Sequence, residues 1–383
     1  MKPKKKILVF IDWFTPGYKA GGPIQSCANL IEHLKDNFEF SVITRDTDYC
    51  ETRPYPSVRS NEWNLLREGL KVYYFSADKL NKKNISAILR NEKFDRVFLN
   101  SVFSFYFTLY PLWILKKFGF RHTTLASRGM FAKSALAIKP FKKKIFLLAA
   151  KSVKLFNNVT FNASSLQEEN EIKNALGNNT MVKIAANLPK KNILQPFKFR
   201  VKYPGSLKLI NIARISPEKN LKYALEILLT AKQRICFDIY GPVYNKQYWS
   251  ACKEVIAQMP KNISINYKGA IQNDEIARTM LDYHFMFMPT LGENFGHIII
   301  ESLCSGTPVI ISDNTIWRNT NNKPAIGWNI PLEQKELFKD TIESCLQMNQ
   351  KEYNKMSENA YKHAVLYYEN SDLTKENMEL FSV

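Results

Sequence analysis

LKLINIARISPEKNLKYALEILLTAKQRICFDIYG fills residues 207–241, and its reading decides the fold class. LKLINIA (207–213) is a short apolar run of the kind that makes a buried strand. SPEKNLKYALEILLTA (216–231) carries apolar residues at helical spacing, and ICFDIYG (235–241) is a strand again. Strand, helix and strand at these short distances make a βαβ unit, which implies a parallel sheet. HFMFMP (284–289) and PVIIS (308–312) continue the strand series toward the C-terminus.

The same alternation occupies the N-terminal half. KILVFI (6–11), FEFSVIT (38–44), KVYYF (71–75), RVFLN (96–100) and TTLA (123–126) read as strands. PIQSCANLIEHL (23–34), ISAILR (85–90) and FKKKIFLLAAKSVKLF (141–156) read as helices between and after them. The expected fold class is therefore α/β, with two doubly wound Rossmann-like domains facing a cleft. The boundary is expected in NLPKKNILQPFKFRVKYPGS (187–206), which holds three prolines and has no periodicity. The expected division is residues 1–195 and 206–370, with a last helix over 371–383 crossing back to the first domain.

Bulk properties narrow the function. A chain of 383 residues suits two ordinary domains, and 45% hydrophobic with 13% aromatic content marks a folded protein. The six cysteines form no C-x-x-C pair, so reduced thiols in the cytoplasm are expected. The basic start MKPKKK is followed by an apolar run that Asp12 interrupts, so it reads as a strand and not as a secretion signal. No run approaches the ~20 apolar residues that a membrane span needs. SVFSFYFTLYPLWIL (101–115) is short and contains Pro111, which suits a core or interfacial helix.

Formal net charge is +19, and no acidic residue occurs between Asp95 and Glu168. A one-signed surface attracts nucleic acid or an anionic membrane. No helix-turn-helix, RNP or zinc-finger pattern accompanies it, so nucleic acid is not an expected partner. The lysines of IKPFKKKIFLLAAKSVKLF stand beside Phe141, Ile145, Phe146, Leu147 and Leu148, a composition that suits a helix on an anionic leaflet. A core helix with a lysine-rich outer face accounts for the same residues.

Three stretches after strands carry the chemistry. In LGENFGHIIIESLCSGTPVI (291–310), Asn294 is the expected N-cap of a buried helix, with the N–H groups of Phe295, Gly296 and His297 free to meet a ligand. Glu293 precedes that helix, and Glu301 lies almost two turns into it, roughly 12 Å along at about 1.5 Å per residue. Glycoside hydrolases place their carboxylates about 5–10 Å apart across one bond, so this pair suits gripping hydroxyls. In the second stretch Arg214 and Lys219 flank a turn, and Pro217 is expected to open a helix whose N-terminus takes a diphosphate. In the third, WFTPGYKAGGPIQS (13–26), Gly21 and Gly22 precede the helix begun by Pro23, a backbone cradle for phosphate.

Taken together, the G-G loop, the R-x4-K turn and the E-x7-E segment resemble the retaining GT-B glycosyltransferases of family 4. ENFGHIIIESLCSGTPVI is similar to that family's E-G-F-G…E…G-x-P-V-I pattern, and the likeness spans essentially the whole chain. TLASRGMF (124–131) and TIWRN…AIGWNIP (315–331) resemble a bacterial group that builds polysaccharide or lipopolysaccharide, O-antigen included. Where many relatives have a histidine after this strand, the chain has Arg128, which leaves the histidine's role unfilled.

The resemblance implies a nucleotide diphosphate sugar as donor and no cofactor or metal. Arg214 and Lys219 would neutralise the departing diphosphate, and Arg128 would reach the donor phosphate or an anionic acceptor. Glu301 would accept hydrogen bonds from the ribose. Glu293, with the backbone of Asn294, Phe295 and Gly296, would hold the donor sugar. Gly21 and Gly22 would close over the phosphates, and the main chain at Tyr240, Gly241 and Ile271 would meet the base. The implied acceptor is a saccharide, lipid-linked, reached from the inner face of the plasma membrane. Asp46-Thr47-Asp48 matches the metal-binding D-x-D of another glycosyltransferase fold, but here it is expected to serve its loop. The alternatives are a non-catalytic relative that binds nucleotide sugar and, on charge alone, a nucleic-acid-binding protein.

Overall fold

KKILVF turns apolar at Ile7, and from there to Phe10 the strand is fully buried. It lies near the middle of a sheet because both its faces are covered. The computed structural model describes residues 3–132, 135–136, 140–191, 194, 196–317 and 326–382. The chain divides into two compact units, Met1–Lys191 with Ser371–Val383, and Asn192–Asn370. Arg318 and Asn319 of the TIWRN stretch lie outside the described residues, as do Lys133 and Lys139.

The first unit runs β1 (Lys5–Phe10), α1 (Gly22–Leu34), β2 (Phe38–Arg45), β3 (Trp63–Arg67), β4 (Leu70–Phe75), α2 (Lys82–Asn91) and β5 (Arg96–Asn100). It continues with α3 (Tyr110–Lys117), β6 (Thr123–Ala126), α4 (Pro140–Ser152), β7 (Val159–Ala163), α5 (Leu166–Leu176) and β8 (Val182–Ile184). Its sheet is ordered β3-β4-β2-β1-β5-β6-β7-β8, and only the β3–β4 pair is antiparallel. A single π-type turn, Phe105–Leu109, leads into α3 across Pro111, so the stretch expected as one helix is divided.

The second unit runs β9 (Ser206–Ile212), α6 (Leu221–Leu228), β10 (Arg234–Tyr240), α7 (Lys246–Ile256), β11 (Ile263–Gly269), α8 (Ile276–Met280) and β12 (Phe285–Met288). Then come α9 (His297–Cys304), β13 (Val309–Ser312), β14 (Gly327–Ile330), α10 (Lys335–Gln347) and α11 (Gln350–Glu369). Leu207 and Leu209 join the apolar cluster on one face of this parallel sheet, and Ile210 and Ile212 join the cluster on the other. Helices therefore cover both faces, as in a doubly wound fold. The last helix, α12 (Ser371–Ser382), belongs to the first unit: Phe381 packs edge-on against Phe38 and Phe98, and Asn377 Nδ2 donates to Ala186 O at 2.8 Å.

His284 fixes the start of β12. Its Nδ1 accepts the Lys208 N–H at 3.0 Å, so Nε2 carries the proton and donates to Val201 O at 3.0 Å. Burial, helped by Lys202, Lys208 and Arg200, lowers its pKa to about 4 against a hydrogen bond to Val201 that raises it. The folded state thus holds the neutral imidazole, while the unfolded chain takes a proton near pH 6.5. Stability is full above 6.5 and falls as pH drops toward 4, by on the order of 3 kcal/mol. Urea midpoints across pH 4–7 check this: the fall expected in the wild type shrinks in His284→Gln.

Candidate active site

In the second unit the sheet order is β11-β10-β9-β12-β13-β14. The chain steps outward from β9 to β11, then returns to lay β12 on the other side of β9. Loops leaving β9 and β12 therefore part to opposite faces, and an open α/β sheet binds ligands at that point. These two loops carry Arg214 and Lys219 on one side and Glu293 to Gly296 on the other.

The loops are fastened together by uncharged bonds first. Leu291 N–H donates to Glu218 O at 2.9 Å, Thr290 Oγ1 donates to the same oxygen at 3.0 Å, and Asn220 Nδ2 donates to Pro289 O at 2.9 Å. Held this way, Lys219 Nζ pairs with Glu293 Oε2. Their side chains are only 14% and 18% exposed, so this pair is shielded from the solvent that weakens surface ion pairs. Arg214 stays at the mouth, 3.7 Å from Glu218 and with its guanidinium 5.3 Å from the centre of the Tyr244 ring. The result is one fixed cation, one accessible cation and a carboxylate with a free oxygen edge around one loop crossing.

Two local expectations need correction. Asn294 does not cap the helix after β12; α9 begins at His297, with Gly296 as its N-cap residue at φ 76°. The left-handed turn needs glycine: a Cβ there would meet Glu293 Cγ at 2.9 Å and Ile299 Cδ1 at 2.8 Å. Pro217 does not open the helix after β9 either. It starts a 3-10 turn, Pro217–Lys219, which Asn220 ends at φ 57° before α6 begins at Leu221. Lys219 thus stands on a tight turn and Arg214 three residues before that turn, neither of them on the end of α6.

Phe295 is buried beside Trp317 and Tyr367, and its carbonyl accepts from Trp317 Nε1, which leaves its N–H as the group it could offer a ligand. Glu301 is 3% exposed on α9, where its charge acts on Cys304 and on Tyr368 of α11; it makes no ion pair with Arg214 or Lys219. Gly241 sits at the end of β10, φ 136°, with its N–H donated to Gly269 O at 2.7 Å and Tyr267 OH bonded to its carbonyl at 2.9 Å. Tyr240 OH lies 3.3 Å from Tyr283 OH, and Ile271 packs partly buried against the core. These main-chain positions line the same carboxyl edge as Arg214.

The first unit has its own reversal, between β1 and β5, where Ser104 Oγ donates to Asp12 Oδ1 at 2.9 Å. Gly21 caps α1 at φ 73°, and a Cβ on Gly21 or Gly22 would touch nothing within 4 Å. The loop before them is pinned by Asp48, whose carboxylate accepts the N–H of Tyr18 at 3.0 Å, of Lys19 at 3.2 Å and of Tyr49 at 2.7 Å. Asp46 Oδ2 accepts from Ser60 Oγ at 2.7 Å. Asp46 is thereby engaged within the loop after β2, and Asp48 with that loop and with the loop after β1. Arg128 follows β6, bonded to Asn100 and Asn187.

A profile of the family Glycosyl transferases group 1 matches residues 172–363, just over half of the chain. The chain belongs to that family. This transferase also shares its fold with solved structures over its whole length. Sucrose-phosphate synthase from Thermosynechococcus elongatus superposes with a TM-score of 0.74 at 14% identity, covering 99% of this chain and 98% of its own. Anabaena HepE in complex with UDP and glucose gives 0.71 at 15%, covering 99% of both chains. WaaG, a glycosyltransferase involved in lipopolysaccharide biosynthesis, gives 0.67 at 10%, covering 98% of both. Identities this low speak to the fold alone, which is GT-B. No curated protein matches the sequence.

Sequence reasoning missed two buried acids of the transferase. Glu168 takes four hydrogen bonds near the end of β6, from Ser127, Gly129 and Ser164. Asp238 on β10 accepts from Tyr283 OH and Asn266 Nδ2, each at 2.7 Å. A lone acid inside FDIYG was the available sign for Asp238; Glu168 reads in sequence as an ordinary first-turn residue of α5.

Proposed function

We propose that this transferase moves a sugar from a nucleoside diphosphate sugar to a saccharide acceptor, with retention of configuration. The Lys219–Glu293 pair beside Arg214 at the β9/β12 reversal carries the reading. Negative charge grows on the diphosphate as the glycosidic bond breaks, and cations fixed there need no reorganisation. Lys219 is held in place before the donor arrives, and Arg214 is exposed enough to close on it. Glu293 and the main chain of Asn294, Phe295 and Gly296 hold sugar hydroxyls, while Glu301 serves the ribose. The complexes of HepE with UDP and glucose and of an E. coli trehalose-6-phosphate enzyme with UDP-2-fluoro glucose support a donor of this class. Cations in this role replace a divalent metal, so EDTA is expected to leave turnover unchanged; strong inhibition would count against the reading. Turnover of UDP, GDP and ADP sugars, with Glu293→Ala as control, tests the donor.

The acceptor we propose is lipid-linked, in bacterial surface polysaccharide synthesis at the cytoplasmic face of the membrane. Among the described residues no helix is long and apolar enough to cross a bilayer. In α4, however, Phe146 and Leu147 pack inward while Phe141, Ile145 and Leu148 stand exposed at helical spacing. Lys142, Lys144 and Lys151 flank that stripe, and nearby acids are absent from the sequence. Flotation with anionic vesicles at low salt is the check: the wild type is expected to float and Phe141→Ser/Leu148→Ser to stay below.

A further inference from the structure

The first unit holds a cation that makes no ion pair with any described residue. Arg128 sits at φ 52°, and its guanidinium donates from Nε and Nη2 to Asn100 Oδ1, at 3.2 and 2.9 Å, and from Nη1 to Asn187 Oδ1. Both partners are neutral amides, 1% and 6% exposed. Asn100 is held facing this way because its Nδ2 points to Cys27 Sγ, 3.8 Å off. The acid whose field reaches Arg128 is Glu168, and its oxygens are taken: Oε1 by Ser127 Oγ and Gly129 N–H, both at 2.6 Å, and Oε2 by Ser164 N–H and Oγ at 2.8 and 2.7 Å.

A guanidinium has five N–H donors, and the amides engage three. Arg128 is partly buried, and this desolvation disfavours the charge and lowers the arginine's pKa. Such a cation is costly unless an anion completes it. The sequence supplies none between Asp95 and Glu168. Cys27 also ties the cluster to α1, whose first turn has no acidic residue and no side-chain cap. Arg128 after β6, Asn100 at the end of β5 and the start of α1 after β1 all lie at the carboxyl end of this sheet.

We infer that Arg128, Asn100 and Asn187 form a preorganised oxyanion site in the first unit, which takes a phosphate or carboxylate group from a ligand of glycosyl transfer. Only the origin of that group, a nucleoside diphosphate or an acidic sugar, rests on the proposed function. The amides set the guanidinium's direction without cancelling its charge, which a carboxylate in either place would do.

The test is calorimetric titration of the full chain with pyrophosphate, UDP and glucose 6-phosphate, each against its neutral counterpart uridine or glucose where one exists. Asn187→Asp keeps the shape of the cradle and gives the guanidinium an internal counterion. Arg128→Gln removes the cation. Both are expected to weaken binding of at least one anion tenfold or more while uridine and glucose binding stays unchanged. A loss confined to UDP and pyrophosphate assigns the site to a diphosphate, and a loss confined to glucose 6-phosphate assigns it to an acidic sugar. Anion affinities that survive in a folded Asn187→Asp, or a wild type that binds none of the three, overturn the inference. A wild type that binds anions through Arg128 yet turns over no donor sugar would sink the transfer reading and leave this site standing.

Discussion

Lys219→Ala is expected to lower kcat/KM for the donor sugar by about 10²–10³-fold, on the order of 3–4 kcal/mol of lost charge stabilisation. The substitution does two things. It removes a cation from the place where the diphosphate gains charge, and it leaves Glu293, 18% exposed, without its partner. The second effect is a stability cost, because a largely buried charge has been uncovered. Lys219→Ala/Glu293→Ala separates the two: it should regain stability while activity stays low. Donor hydrolysis by water reads the first and a urea midpoint the second, so neither needs a known acceptor. A single variant with full hydrolysis would show that Lys219 only fastens its loop.

Gly241→Ala is expected to destabilise the second unit by more than about 4 kcal/mol, at the exceptional end for one substitution. The φ of 136° already excludes an L side chain, and the added Cβ would stand 1.9 Å from Ala213 O and 2.6 Å from Ala213 C. The strands cannot part to make room. Ala213 N–H donates to Tyr240 O at 3.0 Å and Ile215 N–H to Pro242 O at 2.9 Å on either side of the clash. Moving that segment also moves Arg214, so activity should vanish with stability. Gly22→Ala is the contrast, since its Cβ meets nothing within 4 Å and a helix start tolerates alanine. Its melting temperature should match the wild type, and a Gly241→Ala protein with a wild-type urea midpoint would contradict this geometry.

The parallel α/β architecture was legible because its buried strands are dense apolar runs, as in LKLINIA and HFMFMP. Half-buried or short strands left weaker marks: Trp63–Arg67, Val182–Ile184 and Ile263–Gly269 are partly exposed and mix polar residues into the run. The site residues were legible through their places after strands, and Lys219 with Glu293 meet in the fold although 74 positions separate them. What spacing could not convey was the local backbone. Gly296 and Asn220 adopt left-handed conformations that delay each helix, and the reason lies in contacts made across the loops, such as Asn220 to Pro289. Arg128 was legible as a charge, but its amide cradle depends on Asn100 at the end of β5 and Asn187 in the segment after β8, 28 and 59 positions away in sequence.

The most direct measurement is calorimetric binding of UDP, GDP and ADP to the wild type and to Arg214→Gln/Lys219→Gln, beside the matching nucleosides. The account predicts that one diphosphate binds far more tightly than its nucleoside, and that the double variant loses that margin while keeping affinity for the nucleoside. Equal binding of diphosphate and nucleoside by the wild type, or an undiminished margin in the folded variant, would contradict it.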